Sequence, residues 1–307
     1  MNTLRCFNKK LLVAATASVV LGMGMVGNAS AGAYALAYDD VRNFLITGIP
    51  GFNSVATTSN TAALHIPPGG PGLPGEEAHT DPLDALQSYT TGTMAAQPQR
   101  PPENTFAPLG MAPLGYDRSD AWIINPDVLT PPGGRAINIA EGWIPDPVAA
   151  TITSTAFANN LLSGQFTLGQ STDIVIAFEA DAYMNTVLLP SSLPGSFALA
   201  GLDFNITISD LVGNVIHEYV PGDLNHGISS LVAGQVSEWD PTGDGIGGAY
   251  NSYNDAFTLA AGTYNIDIRM GERESIKQVP EPGTVFLLGG GLAGLAVAAR
   301  RRTAAKA

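Results

Sequence analysis

Asp203-Phe204-Asn205-Ile206-Thr207-Ile208 alternates polar and apolar side chains at every step. Successive side chains of an extended strand point to opposite faces, so this period of two predicts a strand with one buried and one solvated face. Residues 209–214 follow with Asp210, Gly213 and Asn214, residue types that turns use, and residues 215–220 return in β-prone side chains. Together they predict an antiparallel hairpin.

The same texture extends on both sides. Residues 165–168, a turn at 169–172 and residues 173–179 predict two more strands, and residues 183–189 another. Residues 256–259, Ala260-Ala261-Gly262 and residues 263–269 predict a strand–turn–strand unit. No long run of helical period separates these pieces. Short strands joined by glycine-bearing turns predict an all-β fold, an antiparallel β-sandwich or jelly roll over residues 148–278. The Phe257–Ile268 wording resembles the closing hairpin of bacterial extracellular β-sandwich modules, including those near the C-terminus of secreted peptidases. That resemblance implies a fold and no activity.

Upstream, residues 32–49 alternate around Tyr34, Leu36 and Tyr38 and again at Phe44 and Ile46, predicting one or two opening strands. Residues 50–147 hold sixteen of the chain's 22 prolines. Proline removes ladder donors, so this stretch is expected to be a long Pro/Gly-rich irregular region, loop or linker. Within it a short helix is expected at 81–90, and isolated short strands at 121–124 and 135–139.

The chain opens with Arg5, Lys9 and Lys10, an apolar run at 11–26, and Ala29-Ser30-Ala31. That order predicts a signal helix over residues 1–31, passed to the Sec translocon and cut by signal peptidase after Ala31. Cys6, the one cysteine, would leave with it, so the exported chain would hold no disulfide. All 27 acidic residues lie between Asp39 and Glu281, while seven of the 14 basic residues sit in the terminal segments. The stretch between therefore sets seven basic against 27 acidic residues, a formal balance of −20. Phosphate backbones require clustered Lys and Arg, which excludes nucleic acid as a partner.

At the other end, Val279 leads into Pro280-Glu281-Pro282, an apolar run at 285–299, and Arg300, Arg301 and Arg302. Fifteen apolar residues are short against the roughly 20 of a spanning helix, which suits a processed signal, and the arginines form a cytoplasmic membrane stop. This three-part order over residues 279–307 resembles the PEP-CTERM sorting signal of exported proteins in Gram-negative bacteria. The resemblance implies recognition of Pro280, Glu281 and Pro282 by the membrane protease exosortase. It also implies a transient hold by a transmembrane helix in the inner membrane, then transfer to the cell surface or extracellular space. By family analogy it implies association with extracellular polysaccharide and biofilm.

Chemistry is sparser. Asp240, Thr242 and Asp244, with Gly245, follow the opening of a calcium loop, but the twelfth position is Asn251 instead of a bidentate acid. A solvated acidic turn is the plainer reading; calcium is the one cofactor the sequence brings forward. Glu179, Asp181 and Asp203 are either a glycosidase-like acidic set or charged strand edges. Of the four histidines, His217 and His226 with Asp223 come nearest to a zinc set, and none forms His-Glu-x-x-His. Trp122, Trp143 and Trp239 are candidates for sugar stacking or for the core. The expected function is an exported surface or matrix protein without catalytic activity. A carbohydrate- or calcium-binding adhesion module and a secreted hydrolase are the alternatives.

Overall fold

The computed structural model describes residues 32–66, 77–81, 86–91, 105–111, 115–145 and 151–279, and these form two antiparallel seven-stranded sheets. The first sheet contains β1 (Ala33–Thr47), β4 (Leu86–Thr91), β5 (Tyr116–Asn125), β6 (Gly134–Ile144), β8 (Thr172–Leu188), β12 (Val236–Trp239) and β13 (Asn251–Leu259). Its order is β12-β8-β1-β6-β5-β4, with β13 also on β8. The second contains β2 (Phe52–Ile66), β3 (Glu77–Asp81), β7 (Ile152–Leu168), β9 (Phe197–Asp210), β10 (Val215–Tyr219), β11 (Gly227–Ser230) and β14 (Gly262–Gln278). Its order is β10-β9-β14-β7-β2-β3, with β11 also on β9.

The all-β sandwich is present, and the opening hairpin is β9–β10, with Ile206 opposite Tyr219. Four expectations are corrected. Residues 50–147 are not a linker, because β2 to β6 all lie within them and enter both sheets. The helix expected at 81–90 is replaced by strand at Leu86–Thr91, paired with β5. The pieces at 121–124 and 135–139 are parts of β5 and β6, paired along their length. The unit at 256–269 is two strands but no hairpin. β13 pairs with β8 in the first sheet and β14 with β7 and β9 in the second, so the chain changes sheets at Ala260–Ala261. The expected signal helix and the C-terminal membrane helix lie outside the described residues.

β1 explains how one strand feeds two cores. Tyr34, Leu36 and Tyr38 face outward from the sandwich, yet Phe44 and Ile46, of the same parity, face inward. The pairing of β1 with both neighbours slips by one residue between Val41 and Leu45. That bulge turns the even-numbered side chains to the other face. Asn43, at φ 54°, takes the left-handed turn there, a conformation Asn tolerates better than most residues.

Between the sheets the core has two halves. One is apolar, built around Phe178, on which Phe44 stacks at a centroid distance of 5.2 Å and against which Phe204 lies tilted at 5.0 Å. The other is polar. Asp39, Asp117, Asn138, Ser154, Asn160, Glu272 and Glu274 are all buried there. Asn160 donates to Asn138 at 2.7 Å and accepts from Ser59 at 2.5 Å, and Ser154 donates to Asp117. Burial pushes the carboxyls of Asp39, Asp117, Glu272 and Glu274 well above the ordinary carboxylate range. Neutral acids are the form an apolar interior tolerates.

The outer face of the first sheet is covered as well. Tyr34, Leu36, Tyr38, Ile139 and Trp143 form a cluster against which Phe106 and Ile246 pack. A fully buried ion pair, Arg118 Nε to Glu141 Oε2 at 2.8 Å, clamps the covering segment. Arg118 donates to the carbonyls of Thr105 and Ala107, and Glu141 accepts from the amides of Leu109 and Gly110.

Candidate sorting site

β1 begins and β14 ends at the same end of the sandwich. Ala33 lies opposite Ile144 and Leu188, and Ile276 lies opposite Ala198. These residues, with Ile152, form one apolar cluster that closes this end. Across it runs the connection from β8 to β9, residues 189–196, in which Pro190 and Pro194 bar a continuing ladder. Two tight turns shape it, Ser192 N–H to Leu189 O and Ser196 N–H to Leu193 O, both at 3.0 Å.

This connection grips both ends of the described chain. The Gly32 carbonyl accepts from Leu189 N at 2.9 Å and from Ser192 Oγ at 3.2 Å. Val279 N donates to Ser196 Oγ at 3.0 Å. Gly32 is packed so closely that a Cβ there would meet Trp143 Cη2 at 2.6 Å. A second connection, 231–235, sits alongside, since Gly234 N donates to Leu188 O and Leu188 N to Gln235 O. The predicted cut after Ala31 and the first residue of Pro280-Glu281-Pro282 are thus each one bond from a fixed residue of one end. Pro280, Glu281, Pro282, Arg300, Arg301 and Arg302 themselves lie outside the described residues. No alternation or composition signal announces Ser196 and Gly32; their role rests on proximity created by folding.

The other candidate residues are placed as follows. Asp240 caps its own turn: Oδ1 accepts from Thr242 N, Thr242 Oγ1 and Gly243 N, and Oδ2 from Gly245 N at 2.7 Å. Burial pushes its carboxyl up, but these bonds outweigh it and hold the carboxyl below its usual range. Asp244 is exposed. The loop is tied down by Gly247 N, which donates to Asp181 Oδ2 at 2.6 Å. Among the described residues no three His, Cys, Asp or Glu side chains are grouped to hold a metal ion.

Glu179 and Asp181 face outward on β8, whereas Asp203 faces outward on β9 of the other sheet. Glu179 is held by Arg42 at 2.8 Å. Asp181 is buried beside Asp40, and burial raises its carboxyl to about 6. The three acids therefore do not share a cleft. His217 stacks on Phe257 and meets Asp255 at 2.5 Å, while His226 stacks on Trp239. Trp143 is buried, and Trp122 packs on the same outer cluster.

Among the described residues no helix is long and apolar enough to cross a membrane. No curated protein and no solved structure matches the chain significantly. Residues 278–302 match the family model described as the PEP-CTERM protein-sorting motif, which marks a protein for export with exosortase as its processing partner; the chain carries a PEP-CTERM sorting tail.

Proposed function

We propose that this chain is a non-catalytic surface or matrix protein. It is exported by a Gram-negative cell, held at the inner membrane by residues 285–299, cut near Pro280–Pro282 and left at the cell surface. One observation carries the reading: the sorting motif begins where β14 ends, with Val279 fastened to Ser196. Asp203 lies on the other sheet from Glu179 and Asp181, and Glu179 is engaged by Arg42, which favours the non-catalytic reading over an acid pair that includes Asp203. The test replaces Pro280, Glu281 and Pro282 together by alanine in the native host. The uncut chain is expected to accumulate in the membrane fraction, and unchanged processing overturns the reading.

Association with extracellular polysaccharide is favoured by the outer face of the second sheet. There Phe157, Asn159, Asp203 and Arg269 rim a depression floored by Gly271. An exposed ring beside short polar side chains is what a sugar chain needs for stacking and hydrogen bonding. Phe157→Ala with Arg269→Ala is expected to reduce retention on the host's polysaccharide at least fivefold, and undiminished retention overturns this assignment.

A further inference from the structure

At the end that grips both described ends of the chain, the two connections differ from the rest of the chain in charge. Residues 182–202 and 224–237, which build its two connections, contain no Asp, Glu, Lys or Arg, although the chain holds 27 acidic residues. At its tip Leu231 and Val232 are 58% and 67% exposed, and Val236 beside them is 62% exposed. The position of this tip is fixed. β11 pairs Ser230 with Ala198, β12 pairs Val236 with Val187, and Gly234 donates to Leu188. Ser230 and Thr186 hydroxyls join the two sheets just beneath it at 3.0 Å.

A second Leu-Val pair, Leu211-Val212, protrudes at the far end of β9, 61% and 83% exposed. That turn is built on Asp210, whose carboxylate accepts from Val212 N and Asn214 N. Exposure alone therefore does not single out Leu231-Val232. What does is the lack of charge in the two connections that carry it and the reach of the tail. Six peptide steps separate Val279 from Val285, the first residue of the apolar run, and fully extended they span about 20 Å. While residues 285–299 are held in a bilayer, the gripped end cannot stand further than that from the hydrocarbon edge. The polar headgroup layer fills much of that gap, since headgroups add roughly 5–8 Å on each side of the core.

We propose that the Leu231-Val232 tip, with Val236, is a membrane contact: it enters the interfacial layer of the bilayer while the tail is uncut. It would so orient the Val279–Pro280 junction toward the membrane, where exosortase resides. The contact rests on the tail acting as a tether, as proposed above. Burying two aliphatic side chains is a weak, reversible hold by itself. It would orient a tethered protein and let it go once the tether is cut.

The test uses the chain from Gly32 onward, as it stands after the predicted signal cut and free of cysteine, reconstituted in phosphatidylethanolamine–phosphatidylglycerol vesicles. One variant carries an environment-sensitive fluorophore at Val232→Cys, a second at Val212→Cys, the same residue type about 45 Å away along β9. Lipids brominated near the headgroup are expected to quench the Val232 label at least twofold and the Val212 label hardly at all. If the chain floats with the vesicles but both labels are quenched alike, the contact is overturned and the tether stands. If the chain does not float, the tether fails and the contact fails with it.

Discussion

The amide of Val279 donates to the hydroxyl of Ser196, and this one bond joins the last described residue of the chain to the connection between β8 and β9. Ser196 is buried, so the bond is shielded from water that would compete for it. Ser196→Ala is expected to cost about 1 kcal/mol locally. That raises hydrogen exchange at the Val279 amide about fivefold while distant amides keep their rates. Unchanged exchange at Val279 would show that the junction is held by other contacts.

The Arg118–Glu141 pair predicts an asymmetric mutational response. Glu141→Leu leaves a buried guanidinium uncompensated and is expected to cost about 3–5 kcal/mol in urea unfolding. Arg118→Met with Glu141→Leu removes both charges and is expected to recover part of that loss. Both variants free the segment 105–111, which should become the first site of limited proteolysis. A double variant no more stable than the single one would contradict the pairing.

The polar half of the core predicts how stability follows pH. The folded carboxyls of Asp39, Asp117, Glu272 and Glu274 are raised by burial above their unfolded values. Below about pH 4, near those unfolded values, both states are protonated and their contribution is fully present. As pH rises, the unfolded chain ionises first and stability falls, by at most about 1.4 kcal/mol per pH unit for each group, until the folded carboxyl also titrates. Glu272→Gln removes one such group and is expected to flatten the fall between pH 5 and 8. Chemical denaturation at several pH values checks it, and a parallel curve for wild type and variant would count against a protonated Glu272.

The Asp240 turn predicts little response to calcium. Its carboxylate oxygens already accept four hydrogen bonds from Thr242, Gly243 and Gly245. Asp240→Ala is expected to lower stability by about 1 kcal/mol through loss of those bonds, whereas millimolar Ca²⁺ leaves the melting temperature of the wild type unchanged. A calcium-induced rise that the variant lacks would reinstate the metal site.

How much of this was legible depended on what each strand buries. β9 buries Phe204, Ile206 and Ile208, so its alternation is plain. β2 points Thr57, Ser59, Thr61 and Ala63 inward, against the polar half of the core, and hydrophobic periodicity cannot mark a strand whose buried face is hydroxyls. Prolines hid it further, although Pro67, Pro68, Pro71 and Pro74 all follow its end. Partner choice was invisible too. Ala260-Ala261-Gly262 has hairpin composition, yet which sheet a strand joins is decided by packing of distant residues. Nothing in the sequence marked Glu272 and Glu274 as buried acids; they alternate inward with Met270 and Ile276 on β14. The tail needed no fold to be recognised; that it starts one residue past a fixed strand did.

β14 is the last of the described strands in chain order, and it lies in the middle of the second sheet, between β7 and β9 along nearly its whole length. Without it those two strands have no ladder to share, and Glu272, Ile276 and the Ser196 bond have nothing to close. A chain threaded N-terminus first therefore cannot complete its sandwich until residue 278 has emerged. The second sheet thus closes only with the strand that adjoins the sorting motif, and a chain cut short of β14 leaves the facing edges of β7 and β9 unpaired.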